Sequence, residues 1–392
     1  MQKTAIISLL LFMISPVIGV VNSLLHFSRN RTIFYFLLSL LTALITLKNP
    51  PAFDAIRYLD MYNSVSVADV LNFSNYLNFY IISYVFKSFG VSFYFIPAFF
   101  VFLTVFILLK ASDLLFVHFK YSIYIQLFIS IGLVVLINPI FVSFVMRGYL
   151  ATAFFFFGIV HWFFGSKTKS SILLFLSFFC HFSYFFLILV FLISNFFSLG
   201  RFSALFLSTI GFLFSKFIII IFLPYLGFLG FTQHYSSYLV YSQYGDYTAN
   251  MLLSVYIGYT IKFLILFLAI LCKPRNESEL KIQNAILFFL VFISFASFSD
   301  TAAERFSNML LILSFFYVAY YSLKYKKNIY FIIVLTCVFL FLCVFDIYMF
   351  RKAFLYNDFV KTLFLTPLSL LFYSDFEYKL GLEYLNYDGT WK

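Results

Sequence analysis

Eleven almost uncharged apolar runs follow one another along this chain, at 4–25, 32–47, 91–109, 121–137, 140–164, 172–198, 203–223, 250–272, 282–298, 306–323 and 329–350. A membrane-spanning helix takes roughly 20 apolar residues, and in lipid every backbone polar group must be paired within the protein. Charged residues make up 10% of the chain, against about 25% in a soluble domain, too few to cover a water-facing surface. The expected fold is all-α: a polytopic integral membrane protein of about 11–13 hydrophobic helices, some short, tilted or re-entrant, joined by extracytoplasmic loops. The transmembrane domain is expected over 1–350, with outer loops at 48–76 and 224–249, and residues 351–392 form an outer-face tail with a short interfacial element.

The charge pattern sets the topology. Lys and Arg collect in cytoplasmic loops, and one alternation gathers Arg29, Arg31, Lys110, Lys120, Lys167, Lys169, Arg201, Lys273, Arg275, Lys281, Lys324, Lys326 and Lys327 on that side. The N-terminus, the Asn138-Pro139 turn, the turn around Asp300 and both outer loops then face outward. A cleaved signal peptide is not expected, since no A-x-A-like site follows the first run and a second span begins at once. The run 172–198 must start and end on the cytoplasmic side, yet 27 residues is too short for two ordinary spans. A pair of short tilted helices or a re-entrant hairpin satisfies this, with Cys180-His181-Phe182-Ser183 outermost. Tyr76 to Phe89 reads as an interfacial helix.

Several function classes drop out. The net charge of +11 sits on singly scattered side chains, not on the basic stripe that phosphate backbones need. Cys180, Cys272, Cys337 and Cys343 show no CxxC spacing, so neither a disulfide framework nor a zinc site is expected. The 63 Phe and 30 Tyr are read as the codon bias of an AT-rich genome rather than as recognition surfaces. No phosphate loop, HExxH or DxD pair is present, nor a long cytoplasmic domain, which speaks against ATP-driven work.

Ionisable side chains at membrane depth are costly and mark functional sites by default. The segment after the second run carries Asp54, Arg57, Tyr58, Asp60 and Tyr62, which an ordinary solvated loop would also explain. Arg147 lies eight residues beyond Pro139, roughly 12 Å along a continuous helix, deeper than snorkelling readily relieves. His181 stands at the apex of the odd 172–198 segment, where a satisfied core histidine is the plainer alternative. Asp300 and Glu304 suit the start of a helix, whereas the charge of Arg305 opposes the helix dipole there. The loop from Gln233 to Tyr247 combines amides, Asp246 and tyrosines, and interfacial anchoring accounts for it as readily as sugar stacking. Lys216, Lys262 and Asp346 also fall inside runs. Arg147, His181 and Arg305, at the outer ends of separate helices, are expected to converge on an anion embedded in the outer leaflet.

These positions, in this order, resemble the Wzy and EpsG-type polymerases of bacterial O-antigen and exopolysaccharide. The likeness rests on Asp54, Tyr58 and Tyr62 after the second run, on Arg147 followed by Gly148 and Ala151, on His181 with Ser183, and on the late Arg305. It departs from the family pattern at Phe53, where a Gly is usual, at Lys48 in place of Arg, and at Gly148 in place of Gln. The resemblance implies a metal-independent, cofactor-free glycosyltransferase of the bacterial inner membrane, its site facing the periplasm. It would move a growing glycan from undecaprenyl diphosphate to a lipid-linked repeat unit. His181, Asp54 and Asp60 are then the candidate catalytic bases. Arg147, Arg305, Arg57, Tyr58, Tyr62 and Glu304 are the candidate substrate and diphosphate contacts. The implied partners are lipid-linked repeat units, a chain-length regulator and a flippase, with no nucleic acid. An O-antigen ligase and a lipid-linked oligosaccharide flippase are the rival readings.

Overall fold

A computed structural model describes residues 2–71, 77–119, 122–226, 260, 263–297, 300–325, 329–349, 351, 359–367, 369, 383 and 385. Among them the chain is helical throughout and contains no strand. It divides into two compact units, one of Met1–Tyr184 with Cys343–Lys392 and the other of Phe185–Leu342.

The first unit opens with α1 (Gln2–Ile14) and α2 (Pro16–Leu25). Together they correct the expectation of one span over 4–25. Pro16 cannot continue α1, because its ring removes a donor and crowds the preceding turn, and the chain turns back on itself. Asn22 Nδ2 donates to Ser8 Oγ at 2.8 Å, across a separation of roughly 20 Å in a straight helix. Gly19 makes the reversal passable: a Cβ there would lie 2.4 Å from Phe12 Cβ. The hairpin returns the N-terminus, with Lys3, toward the end of the unit that holds Arg29 and Arg31, whereas the sequence pattern suggests opposite ends.

Next come α3 (Arg31–Thr46), α4 (Asp54–Ser64), α5 (Val67–Leu71), α6 (Leu77–Ser88) and α7 (Phe95–Phe119). They are followed by α8 (Ile123–Ile137), α9 (Pro139–Phe144), α10 (Met146–Phe164) and α11 (Lys167–Cys180). The run 140–164 is thus two helices broken at Val145. The run 172–198 is also broken, at 181–183, between α11 and α12 (Tyr184–Phe196), as its awkward length suggests. Helices α10 and α11 are antiparallel. Arg147 reaches the Cys180 carbonyl at one end, and Ser170 Oγ donates to the Gly158 carbonyl at 2.8 Å further along. Gly158 sets their close approach, since a Cβ there would stand 2.9 Å from Leu174 Cδ2.

The polar contacts of this unit sort to its two ends. At one, Arg31 pairs with Asp113 at 3.1 Å and with Gln126 Oε1 at 3.2 Å. Lys110 donates to Thr32 Oγ1 at 2.9 Å, and Lys167 to the Trp162 carbonyl at 2.8 Å. At the other end, where α3 finishes and α10 begins, Asn49 Nδ2 donates to Ser143 Oγ at 3.0 Å.

The second unit contains the rest of α12, α13 (Arg201–Leu226), a helical stretch at 263–271, α14 (Glu277–Ala296), α15 (Asp300–Lys324) and most of α16 (Ile329–Met349). The short α17 (Phe359–Phe364) belongs to the first unit. One end of the second unit is closed by side chains that cap neighbouring helices. Gln283 Nε2 donates to the Cys272 carbonyl at 2.6 Å. Asn284 Nδ2 donates to the Ser194 and Phe197 carbonyls at 2.5 and 2.6 Å. Arg201 bonds Gln283 Oε1 at 3.2 Å, and Glu279 takes up Lys324 at 2.9 Å. Arg201, Arg275 and Lys324, drawn together by charge counting alone, meet at this end.

Among the described residues, Phe95–His118 and Glu277–Ala296 are long and apolar enough to cross a membrane, and seven shorter apolar helices of 10–17 residues accompany them. On α13, Phe202, Phe206, Leu213 and Phe217 lie exposed at helical spacing, an apolar stripe that water does not tolerate on a free surface. Lys262 and the 227–259 stretch that holds most of the expected outer loop lie outside the described residues. So does most of the C-terminal tail. Asp346 is half-buried on α16.

Candidate functional site

Arg147 occupies the second position of α10, directly after the Val145 break. The expectation that it lies far along a continuous helix is therefore corrected. Asn138 holds φ +45° and accepts from the amides of Ile140 and Phe141 at 3.1 and 3.4 Å. Helix α9 thereby starts at a sharp turn and ends six residues later, leaving α10 to begin anew inside the protein. The first amides of a helix have no partner within it and carry the positive end of the dipole. Arg147 adds a full charge at that end. It is 4% exposed, and its Nη2 donates to the Cys180 carbonyl at 3.3 Å.

The junction between α11 and α12 lies against this start. The His181 amide closes α11 by donating to the Ser177 carbonyl at 3.0 Å, and its Nδ1 bonds Ser183 Oγ at 2.7 Å, which sets the orientation of the imidazole. The Tyr184 and Thr152 hydroxyls bond each other, and both oxygens lie within hydrogen-bond reach of the Gly148 carbonyl, at 3.3 and 3.0 Å. With one proton apiece, one hydroxyl donates to the carbonyl and the other to its hydroxyl neighbour. The Tyr184 ring meets Phe155 edge-on at 5.6 Å and His181 at 6.2 Å. Arg147 and His181, far apart in sequence, thus stand on one hydrogen-bonded frame. Thr152 and Tyr184 escape a sequence reading, because neutral polar groups inside aromatic runs carry no charge signal.

Helix α4 packs on α6 and α9, and α6 in turn packs on α11. Asp54 forms an ion pair with Arg57. Tyr58 is buried with its ring 4.8 Å from Phe79, and Tyr62 is buried against Phe93, its hydroxyl donating to the Val91 carbonyl. Both phenols therefore anchor α4. Asp60 and Arg57 are exposed.

Phe53, just before α4, adopts φ +54° and ψ −127°, a region essentially reserved for Gly. Its ring is held against Phe141 and Phe144 at 6.4 and 5.6 Å. A side chain ordinarily makes Ala at least as stable as Gly. Here Phe53→Gly is expected to be more stable than Phe53→Ala by about 1–2 kcal/mol, since both lose the ring and only Gly relieves the backbone. Thermal unfolding of the two purified variants measures the order, and the usual order would refute the strain.

Arg305 is half-buried near the start of α15 in the second unit. It stands 19 residues from Lys324, or about 28 Å along the helix, so it lies at the end of α15 away from the basic cluster. Glu304 is on the same turn, its side chain outside the described residues. Gln233 to Tyr247 is likewise outside them. The Asp54 helix, Arg147 and His181 all belong to the first unit, where Arg147 bonds the residue next to His181.

The sequence profile of the EpsG family matches residues 31–380. No curated protein and no solved structure matches.

Proposed function

The chain belongs to the EpsG family, and from that premise we propose that it polymerises an extracellular or O-antigen polysaccharide from lipid-linked repeat units. The family points to polysaccharide biosynthesis in a membrane, and the exposed phenylalanines of α13 fit a lipid surround. In the proposed reaction an acceptor sugar hydroxyl attacks the anomeric carbon of the donor glycan. The bond from that carbon to the phosphate oxygen breaks, and undecaprenyl diphosphate leaves with the electron pair. The hydroxyl proton passes to a base.

The observation that carries this reading is Arg147, buried at the first turn of the interrupted helix α10 and next to His181. Helix starts bind phosphate, and interrupted helices within membranes use this to hold anionic groups. A guanidinium fork matches phosphate oxygens. Arg147 would stabilise the charge gathering on the leaving diphosphate. His181 is the favoured base, because Asp54 is already paired with Arg57. The Arg147 end of its unit lies opposite Arg31, Lys110 and Lys167, which positive-inside asymmetry assigns to the cytoplasm, so the site would open to the outer face of the inner membrane.

Deletion of the gene tests the reaction class. Single repeat units should accumulate on their lipid carrier at the outer face, with no polymer. Finished polymer stranded on its carrier would instead identify a ligase. Repeat units trapped on the cytoplasmic face would identify a transporter, and either result overturns the proposal.

A further inference from the structure

We infer that Asn78 reads the sugar joined to the donor diphosphate, an inference that rests on the polymerase reading above. Asn78 lies in the first turn of α6 and is 4% exposed, and no nitrogen or oxygen atom hydrogen-bonds its Nδ2 or its Oδ1. A carboxamide left so in a protein interior is costly and rare. It stands beside the thiol of Cys180, which is at best a weak partner. The carbonyl of that same residue receives Arg147. The amide therefore borders the place where the guanidinium and the start of α10 present their positive charge.

The chemistry of the group selects its ligand. A phosphate oxygen only accepts, so Arg147 and the amides of the helix start suffice for it. A carboxamide offers a donor and an acceptor together, which matches a sugar hydroxyl or an acetamido group. The C2 substituent of the donor sugar is one carbon away from the C1–O–P linkage. A group bordering the diphosphate cation is thus placed to meet that substituent. Phe79, the next residue, is fully buried under the Tyr58 ring, so α4 holds the start of α6 in position for this contact.

Asn78→Leu tests the assignment without opening a cavity, because it replaces an unbonded buried amide by an apolar group of similar size. The full-length protein in nanodiscs is titrated with a short polyprenyl diphosphate, bare or bearing N-acetylglucosamine, N-acetylgalactosamine, glucose or galactose. The natural chain should bind its best sugar probe about tenfold more tightly than its worst. In Asn78→Leu that spread should collapse to within about threefold, with binding of the bare diphosphate retained. Arg147→Ala should weaken every probe. An undiminished spread in Asn78→Leu, or no spread in the natural chain, overturns the role of Asn78 while leaving the diphosphate site standing. Probes unaffected by Arg147→Ala would overturn the diphosphate site itself.

Discussion

Replacing Arg147 by Ala is expected to abolish long-chain polymer while the protein remains inserted in the membrane. The loss follows from what the leaving group needs. Departure of a diphosphate concentrates negative charge on its bridging oxygen, and a cation already fixed at that point stabilises the transition state without reorganising. Removing one preorganised group of this kind costs about 3 kcal/mol, or roughly a hundredfold in rate. Arg147→Lys should recover part of that loss, since it restores charge but not the two-pronged geometry. Arg147 also bonds the Cys180 carbonyl, so a structural collapse must be distinguished from a chemical one. Thermal unfolding in detergent separates them: a variant that melts near the natural temperature yet makes only single repeat units has lost chemistry. Wild-type chain lengths from Arg147→Ala would remove this arginine from the site.

The helical architecture was legible because lipid imposes a compositional test that a chain either meets or fails, and the apolar runs meet it. The interruptions were legible only in part. Pro16 stands in the middle of the first run and signals a break, but the reversal depends on Gly19 meeting Phe12 and Asn22 meeting Ser8, contacts that no local pattern encodes. Val145 carries no breaking residue type, so Arg147 reads as deep in a helix when it begins one. At the candidate site, charge made Arg147 and His181 visible. Asn78, Thr152 and Tyr184 were hidden among aromatic neighbours, and Tyr58 and Tyr62 looked like ligand contacts although their rings pack inward. Phe53 is the opposite case. An aromatic residue there gives no local signal of the positive φ that the backbone adopts.

Glu279 carries no sign of its role in the sequence: an acidic residue at a helix start looks like an ordinary complement to the dipole. Its residue is fully buried at 0% exposure, and its carboxylate gathers donors from two helices. Lys324 Nζ and Tyr320 OH approach Oε1 at 2.9 Å, Tyr325 OH at 2.7 Å and Asn276 Nδ2 at 2.8 Å, while the Arg275 amide reaches Oε2 at 2.8 Å. Asn276 Oδ1 accepts in return from the Glu279 amide at 2.9 Å, an N-cap contact drawn into the interior. The Arg275 guanidinium covers the Tyr325 ring at 4.1 Å. One carboxylate therefore ties the start of α14 to the end of α15. Glu279→Ala strands a cation and several donors. Removing one partner of a buried ion pair costs about 3–5 kcal/mol, and the lower figure applies here because the Lys324 side chain is 37% exposed and can turn to water. Glu279→Gln keeps the shape and some hydrogen bonds, so it should fall between Ala and the natural chain. Lys324→Met alone should cost less than Glu279→Ala, since the carboxylate retains its tyrosine and backbone donors. Thermal unfolding of the four proteins in one detergent gives the order. Equal stability of Glu279→Ala and the natural chain would show that this end of the second unit is held by packing alone.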